Sequence, residues 1–376
     1  MPEYNNIVFI SAFTIFATAA AIQLFYYLFF YLSVYVYKPD EKKPGKEPVS
    51  IIICARNEAE NLKNFLPSVL EQDYPDYEVI VVNDCSEDNS YEILGEFLEK
   101  YPHLRISTVN KDPKFTHFKR FAQFIGIKAA KNEILLFTDA DCQVESDKWI
   151  MKMTSHVDET KTFVLGYGGY KSGKGLLNKY IRYDCMTIAM QYLGMAIRGI
   201  PYMGVGRNLV YRKSVFFENR GFGSHNHLMS GDDDLFVNSN ASRKTTTVEF
   251  SEGSHTRSVP VKTLKAWSTQ KKRHLTTAPY YKLRDKILLA IEPLTRILFY
   301  STFTVLCITN YLLPFTLAIF GLRLITQITV FLLVGKKLKE PGILLYSLIF
   351  DIFSPVINGI LFISNSGNKR MNNAWK

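Results

Sequence analysis

Cysteine is scarce: the 376 residues contain five, an odd number with no CxxC pair, which argues against a disulfide scaffold and against a zinc site. Thiols that stay reduced also suit a cytoplasmic domain. No segment repeats, and there is no low-complexity tract. The first strand-like run leads into CARNEAEN, which lacks the glycine-rich turn that a nicotinamide-binding Rossmann enzyme requires. The most informative gap is in charge: residues 7–37 hold no Asp, Glu, Lys or Arg. About 20 apolar residues suffice to cross a bilayer as a helix, so the chain reads as a membrane protein.

That run is too long for a cleavable signal peptide, has no basic leader and no small-residue cleavage site before KPDEKKPGKEP, and is expected to persist as an anchor over residues 1–37. One acid and no base precede it in MPEYNN, whereas Lys38, Lys42, Lys43 and Lys46 follow it. The positive-inside rule then puts the N-terminus outside and the next domain in the cytoplasm, on the inner (cytoplasmic) membrane. Apolar character returns over 297–365, a length that fits two or three passes: 297–335 is interrupted by Pro314, Arg323 and Gln327, and 342–363 by Asp351, Pro355 and Gly359. The flanking KKLKE and the basic tail 366–376 both prefer the cytoplasm, which would have the last segment dip in and return. Arg323, Gln327 and Asp351 read either as the lining of an intramembrane path or as contacts between helices.

The net charge of +10 excludes little by itself. Its bases flank the apolar segments and fill 257–286, so anionic lipid headgroups are the expected partner and nucleic acid is not. A Pro- and Lys-rich linker, 38–48, precedes a domain over 49–260, and an amphipathic stretch, 261–296, follows it.

Within the domain, VSIIICARNEAENLKNFLPSVL reads as a buried strand, a turn and an amphipathic helix, and EVIVVNDCSEDNSYEIL repeats the unit. LRISTVN and EILLFTDAD supply further strands, with a helix over 117–131 between them. Alternating strands and helices predict an α/β domain, a mainly parallel sheet covered on both faces. Ligands in such sheets sit beyond the carboxyl ends of the strands, where Arg56 to Glu58, Asn83 to Asp88 and Asp139 to Asp141 fall. Asp139 and Asp141, one residue apart, suit a hard divalent cation such as Mg²⁺ that also carries a diphosphate; the plainer alternative is an acidic loop after a strand. Asp232 to Asp234 form a second acidic group that would ordinarily be solvated surface. His225 and His227 beside it suggest a polar loop more than a metal site, because a diphosphate-bound cation favours oxygen ligands.

The combination of strand-ARNE-helix, YPDYEVIVVNDCSEDNS and DAD at this separation resembles the inverting nucleotide-sugar glycosyltransferases of family 2, from about Val49 to Tyr281. The membrane-bound polysaccharide synthases and ceramide glucosyltransferase-like members share the flanking helices. The resemblance implies a GT-A fold (a Rossmann-like nucleotide-diphospho-sugar transferase domain) with flanking transmembrane helices and a hexosyltransferase activity. It also implies a divalent cofactor, Mg²⁺ or Mn²⁺, a UDP-sugar donor, and a lipid or growing polysaccharide acceptor at the cytoplasmic face, with an export or pathway partner possible in principle. Ala55, Arg56, Asn57 and Glu58 would line the nucleotide pocket, Asp84 would bond the uracil ring, and Asp139 and Asp141 would serve the ribose, diphosphate and metal. Lys119 matches a family lysine near the nucleotide, although Phe118 stands where the family has glycine; the alternative is a solvated lysine at a helix start. Asp233, or Asp232 in a register shifted by one, would be the general base. GVGRN would form a backbone wall beside the acceptor. QKKRH matches the Gln-x-x-Arg-Trp signature at Gln270 and Arg273, with His274 in place of Trp, so Trp267 would supply the aromatic surface and Arg273 would neutralise the departing diphosphate. The alternative for this stretch is a basic segment on the membrane surface, with Trp267, Tyr280 and Tyr281 among the headgroups. A different class of function, an inactive membrane-anchored nucleotide-sugar-binding scaffold, would require loss of a metal acid, the base or the arginine.

Overall fold

The computed structural model describes residues 2–39, 46–110, 119–223 and 231–366. His225, His227, Phe118 and most of the basic tail lie outside the described residues.

The β-branched runs form the strands of a seven-stranded sheet, β1 (Val49–Ala55), β2 (Tyr77–Asp84), β3 (Leu104–Val109), β4 (Ile134–Asp139), β6 (Phe163–Gly166), β8 (Leu209–Arg212) and β9 (Thr246–Glu249). Its order is β3-β2-β1-β4-β8-β6-β9. β1 pairs in parallel with both β2 and β4, β2 pairs in parallel with β3, and β8 runs antiparallel to β4 and β6. A smaller sheet orders β5 (Cys142–Val144), β10 (Thr256–Ser258) and β7 (Gly168–Tyr170) as β5-β10-β7. Alternate residues of the parallel strands enter opposite cores, as a strand buried on both faces requires. Ile52, Cys54, Ile80, Val82, Leu135 and Phe137 pack on one face, and Ile51, Ile53, Val79, Val81 and Leu136 on the other.

The helices are α1 (Pro2–Phe25), α2 (Leu32–Val36), α3 (Ala59–Leu70), α4 (Ser90–Lys100), α5 (Lys119–Ala129), α6 (Trp149–Thr154), α7 (Leu176–Ile197), α8 (Lys213–Glu218), α9 (Asp234–Asn240), α10 (Leu264–Leu275), α11 (Leu283–Ile308), α12 (Leu313–Lys337) and α13 (Leu344–Ser366). A π-helical turn, Tyr26–Tyr31, links α1 to α2. There Gly194 lets α7 approach closely, since a Cβ at 194 would lie 2.3 Å from the Phe30 carbonyl oxygen. Arg198 donates from Nε to the Phe29 carbonyl at 2.8 Å.

Among the described residues, four segments are long and apolar enough to cross a membrane: Ile7–Val36, Leu283–Ile308, Leu313–Lys337 and Leu344–Ser364. The apolar stretch after 297 is thus split by a turn in which Asn310 and Leu312 adopt positive φ of 54° and 46°. The dip-and-return reading of the last segment is corrected: α13 is one continuous helix through Pro355.

The polar residues of these helices are contacts between helices, buried rather than lining an open path. Arg323 is 1% exposed and Asp351 fully buried. Arg323 Nη2 lies 2.7 Å from Asp351 Oδ2 and Arg296 Nη1 3.2 Å from Asp351 Oδ1, while Arg296 also pairs with Glu292 one turn earlier. Tyr300 donates to Asp351 at 2.7 Å, Arg323 donates to Gln23 at 3.1 Å, and Gln327 accepts from Arg323. Two acids balance two guanidinium groups, and the network joins the first membrane helix to all three C-terminal ones.

Removing one member strands a buried charge, which costs about 3–5 kcal/mol, whereas replacing a pair by apolar groups is often neutral. D351L is expected to lower the thermal midpoint in detergent sharply, and R323M/D351L to recover most of that loss. Equal midpoints for D351L and wild type would show that the network is not load-carrying.

Candidate active site

Because β1, β2 and β4 run parallel, their carboxyl ends open on one edge, and the turns that follow them build a single cleft. After β1, Ala55 is fully buried and Asn57 adopts φ 54°. The turn is locked to the loop after β2: Asn57 N–H donates to Ser86 Oγ at 3.0 Å, and Glu87 N–H donates to Asn57 Oδ1 at 2.8 Å. Glu58 N–H donates to Ser90 Oγ at 3.1 Å, and the Glu58 carboxylate accepts from Asn61. Asn57 and Glu58 therefore shape the pocket through loop architecture. Arg56 reaches across to the buried Asp84, 4.0 Å from guanidinium to carboxylate, so these two predicted residues are brought together.

At the end of β4, Asp139 Oδ1 accepts from Lys119 Nζ at 2.6 Å. The solvated-lysine reading of Lys119 is thereby corrected. Burial alone would push its ammonium down, but the charges of Asp139, Asp232 and Asp233 outweigh it and hold it well above the ordinary lysine value. Burial would likewise raise Asp139, yet Lys119, then Arg207 and Arg273, keep its carboxyl below the ordinary aspartate range. Asp141 accepts from Ser258 Oγ at 2.7 Å. Ligand atoms of Asp139, Asp141 and Cys142 all lie within 4.8 Å of one another. Burial and the two carboxylates push the Cys142 thiol up, so it stays protonated and the available donors are carboxylate oxygens. That set fits a hard cation such as Mg²⁺ or Mn²⁺.

The three consecutive aspartates have three different environments. Asp234, the first residue of α9, accepts from Tyr281 OH at 2.7 Å and from Leu235 N–H at 2.9 Å, which commits it to structure. Asp233 Oδ1 accepts from Gln123 Nε2 at 2.9 Å, and the side chain presses on Gly206, where a Cβ would fall 1.9 Å from Oδ2. Burial, and then the charge of Asp232, push Asp233 up to about 7 against the opposing pull of Lys119 and Gln123. Asp232 is buried, and its Oδ2 has no hydrogen-bond partner among the described residues. A small cavity lined by Cys54, Lys119, Gln123, Asp139, Gly206 and Asp233 joins the Asp233 carboxylate to the end of β4.

Gln270 and Arg273 share one face of α10, a turn apart, and both are partly buried. Arg273 is close enough to Asp139 to lower its pKa, which brings the QKKRH segment to the same cleft. The aromatic role expected of Trp267 is corrected. Its ring is 5% exposed and packs edge-on against Tyr180, 5.1 Å between centroids, while Tyr180 packs equally on Phe350 of α13. Trp267 thus bolts α10 to the membrane helix. Neither Trp267 nor Tyr281, which is 8% exposed, faces headgroups; Tyr280 is exposed. Lys271 adds a second tie, 2.6 Å from Asp184 of α7.

Sequence reasoning missed Gln123 and Ser258, and took Arg207 only as part of the GVGRN backbone wall. Gln123 was findable, since it lies one helical turn after Lys119 on the same face of α5. Ser258 gave no signal, because only β5–β10 pairing brings it to Asp141.

Residues 50–218 match the family model described as Glycosyl transferase family 2. Glycosyltransferase AglE of Haloferax volcanii is 30% identical over 190 residues, 49% of this chain and 58% of that protein. A poly-beta-1,6-N-acetyl-D-glucosamine synthase of Staphylococcus epidermidis is 34% identical over 101 residues, 27% and 23% of the two chains. The chain therefore spans less than two thirds of the length of these curated relatives. Among solved structures, the mannosyltransferase PcManGT from Pyrobaculum calidifontis, in complex with GDP-Man and Mn²⁺, aligns over 91% of this chain and 99% of its own, with a TM-score of 0.55. Its 16% identity makes this a likeness of fold.

A carboxyl group whose pKa is raised in the folded state binds protons that the unfolded chain has released, so stability falls as pH rises between about 4 and 7. D233N removes that penalty. The variant is expected to be more stable than wild type at pH 8 by up to a few kcal/mol, with the difference vanishing below pH 4 in detergent melts. A difference independent of pH would contradict the raised pKa.

Proposed function

We propose that this chain, whose residues 50–218 match the family 2 glycosyltransferase model and whose GT-A-like α/β domain is flanked by helices long and apolar enough to span a membrane, transfers a sugar from a nucleoside-diphosphate sugar to a hydroxyl of a lipid or growing glycan at the membrane surface. The observation that carries this reading is the convergence of Asp139, Asp141, Lys119, Arg273 and Asp233 on one cleft.

Each residue then has a task. Asp139 and Asp141 would hold a divalent metal, Mg²⁺ or Mn²⁺, which would supply positive charge against that developing on the diphosphate. Arg273 adds a fixed guanidinium to the same leaving group, with Gln270 beside it on α10. Asp84, a buried carboxylate at the end of β2, can accept from an imide N–H such as that of uracil, which favours a UDP-sugar; Ala55, Arg56, Asn57 and Glu58 frame that pocket. Asp233 takes the proton of the attacking hydroxyl as its oxygen bonds to the anomeric carbon and the bond to the diphosphate oxygen breaks. The nucleoside diphosphate leaves with the electron pair. Direct displacement inverts the anomeric centre, so an α-linked donor gives a β-linked product.

The pKa near 7 also speaks to the acceptor. A base poised there suits a hydroxyl, which must lose a proton, rather than a phosphate monoester, which is already ionised. Between the two carboxylates the environment favours Asp233, because its orientation is fixed by Gln123 and Gly206. The bolting of α10 to α13 through Trp267, Tyr180 and Phe350 places the Arg273 helix against the membrane bundle, which supports a membrane-borne acceptor. The lysines after the first span favour a cytoplasmic orientation for the domain. The scaffold alternative gains no support, since the metal acids, the base and the arginine are all present and share one cleft.

The test is release of nucleoside diphosphate by the detergent-purified chain, given a panel of UDP- and GDP-sugars, Mg²⁺ or Mn²⁺, and membrane lipid extract. Metal-dependent release is expected, lost in both D139N and D233N, with kcat/KM rising tenfold per pH unit below about pH 7 and flat above it. Release that survives D233N would remove the proposed base; binding of donor without release under any condition would favour the scaffold.

A further inference from the structure

Arg207 is half-buried, and it differs from the buried arginines in what it does not touch. Arg182 pairs with Glu340, Arg257 with Glu145 and Glu340, and Arg296 with Glu292 and Asp351. Arg207 makes no ion pair among the described residues, although it belongs to the cleft. Its backbone is fixed on both sides. Gly206 abuts the Asp233 carboxylate, and Asn208 is fully buried, accepting from Trp149 Nε1 at 3.0 Å and donating to the Tyr167 carbonyl at 2.9 Å. The Arg207 carbonyl accepts from Thr138 Oγ1 at 3.1 Å and from Thr256 Oγ1 at 2.9 Å, and Thr138 immediately precedes Asp139.

The side chain is held with equal care and left unsatisfied. Its guanidinium carbon stands 4.4 Å over the Tyr170 ring, and Nη2 points to Cys185 Sγ at 3.7 Å. Nη1 is buried with no hydrogen-bond partner among the described residues. A buried donor left without an acceptor costs free energy until an acceptor completes it. Through Thr138 the Arg207 backbone is tied to the residue before Asp139, and through Gly206 it abuts Asp233, so the open Nη1 donor belongs to the same cleft. The planar fork of arginine matches a phosphate group.

We propose that Arg207 binds the β-phosphate of the donor nucleotide, as a second guanidinium beside Arg273. The inference rests on the glycosyl-transfer reading. Tyr170 presents the fork, and Gly206 couples its position to that of the base, so the group that leaves and the group that accepts the proton are held by consecutive residues of one loop.

The test is calorimetric binding of UDP and UMP to the full-length chain in detergent at saturating Mn²⁺, for wild type, R207A, R207M and R207K, with a GDP and GMP pair in parallel. R207M keeps the stem over Tyr170 and guards against collapse of the loop. Wild type is expected to prefer the diphosphate. R207A and R207M are expected to bind the diphosphate about 10- to 100-fold more weakly with the monophosphate nearly unchanged, and R207K to recover part of the loss. An unchanged diphosphate preference in R207M, with a raised KM for acceptor instead, would move the anion to the acceptor and overturn the proposal. Equal weakening of both nucleotides would overturn it too, as damage to the fold. If wild type itself binds neither nucleotide, the glycosyl-transfer reading fails first; if wild type discriminates and R207M discriminates equally, only the role of Arg207 fails.

Discussion

The cleft depends on a single electrostatic constraint: parallel strands deliver their polar turns to one edge, and the carboxylates gathered there must be held by cations from elsewhere in the chain. β1, β2 and β4 bring Ala55 to Glu58, Asp84 and Asp139 to Asp141 together, and the start of α9 adds Asp232 and Asp233. Lys119 comes from α5, Arg207 from the loop before β8, and Arg273 from α10, each acting on Asp139. Carboxylates at this density would otherwise raise one another's pKa, as Asp232 does to Asp233. The arrangement leaves two acids with opposite shifts a short distance apart: Asp139 is held ionised by cations, and Asp233 is held near neutrality by burial. Environments that push two carboxyl groups apart in this way suit the division proposed above, one acid for binding and the other for proton transfer.

A second constraint joins this chemistry to the bilayer. The short connection between α12 and α13 places Glu340, 4% exposed, against Arg182 of α7, Arg257 of β10 and Tyr167. Arg257 in turn lies 2.8 Å from Glu145 and is followed by Ser258, the donor to Asp141. The membrane loop is thus linked by a chain of contacts to Asp141, a carboxylate of the proposed metal site. Inside the bundle, the Glu292–Arg296–Asp351–Arg323 network fixes how the four membrane helices meet. Buried ion pairs are weak contributors to net stability, but they penalise wrong partners heavily, which suits a bundle that must hold one register under a catalytic domain.

The sheet, its parallel core and the three polar turns were readable in the sequence, because a β-branched strand followed by an amphipathic helix leaves few other packings. The DAD pair was equally visible. What could not be read was the division of labour among Asp232, Asp233 and Asp234: that depends on Tyr281 and Gln123, residues distant in sequence that take one aspartate each. Trp267 was misplaced for a related reason, since an aromatic residue near a signature motif looks the same whether it faces ligand or packs against Tyr180. Arg323 was visible as an anomaly, but only the pairing of α11, α12 and α13 shows that it answers Asp351, and Arg296, inside the stretch read as amphipathic, pairs with Glu292 and Asp351. Arg207 was read only as part of the GVGRN backbone wall, because the meaning of its side chain lies in an unpartnered donor that the sequence does not show.

The account stands on one claim, that the cleft binds a nucleoside diphosphate through a divalent metal held by Asp139 and Asp141. Electron paramagnetic resonance of Mn²⁺ added to the detergent-solubilised chain tests it directly. The account predicts that the free-ion signal diminishes on binding, that added UDP or GDP tightens the binding and alters the spectrum, and that D141N abolishes both effects. A Mn²⁺ signal indifferent to nucleotide, or nucleotide binding that needs no metal and survives D141N, would contradict it.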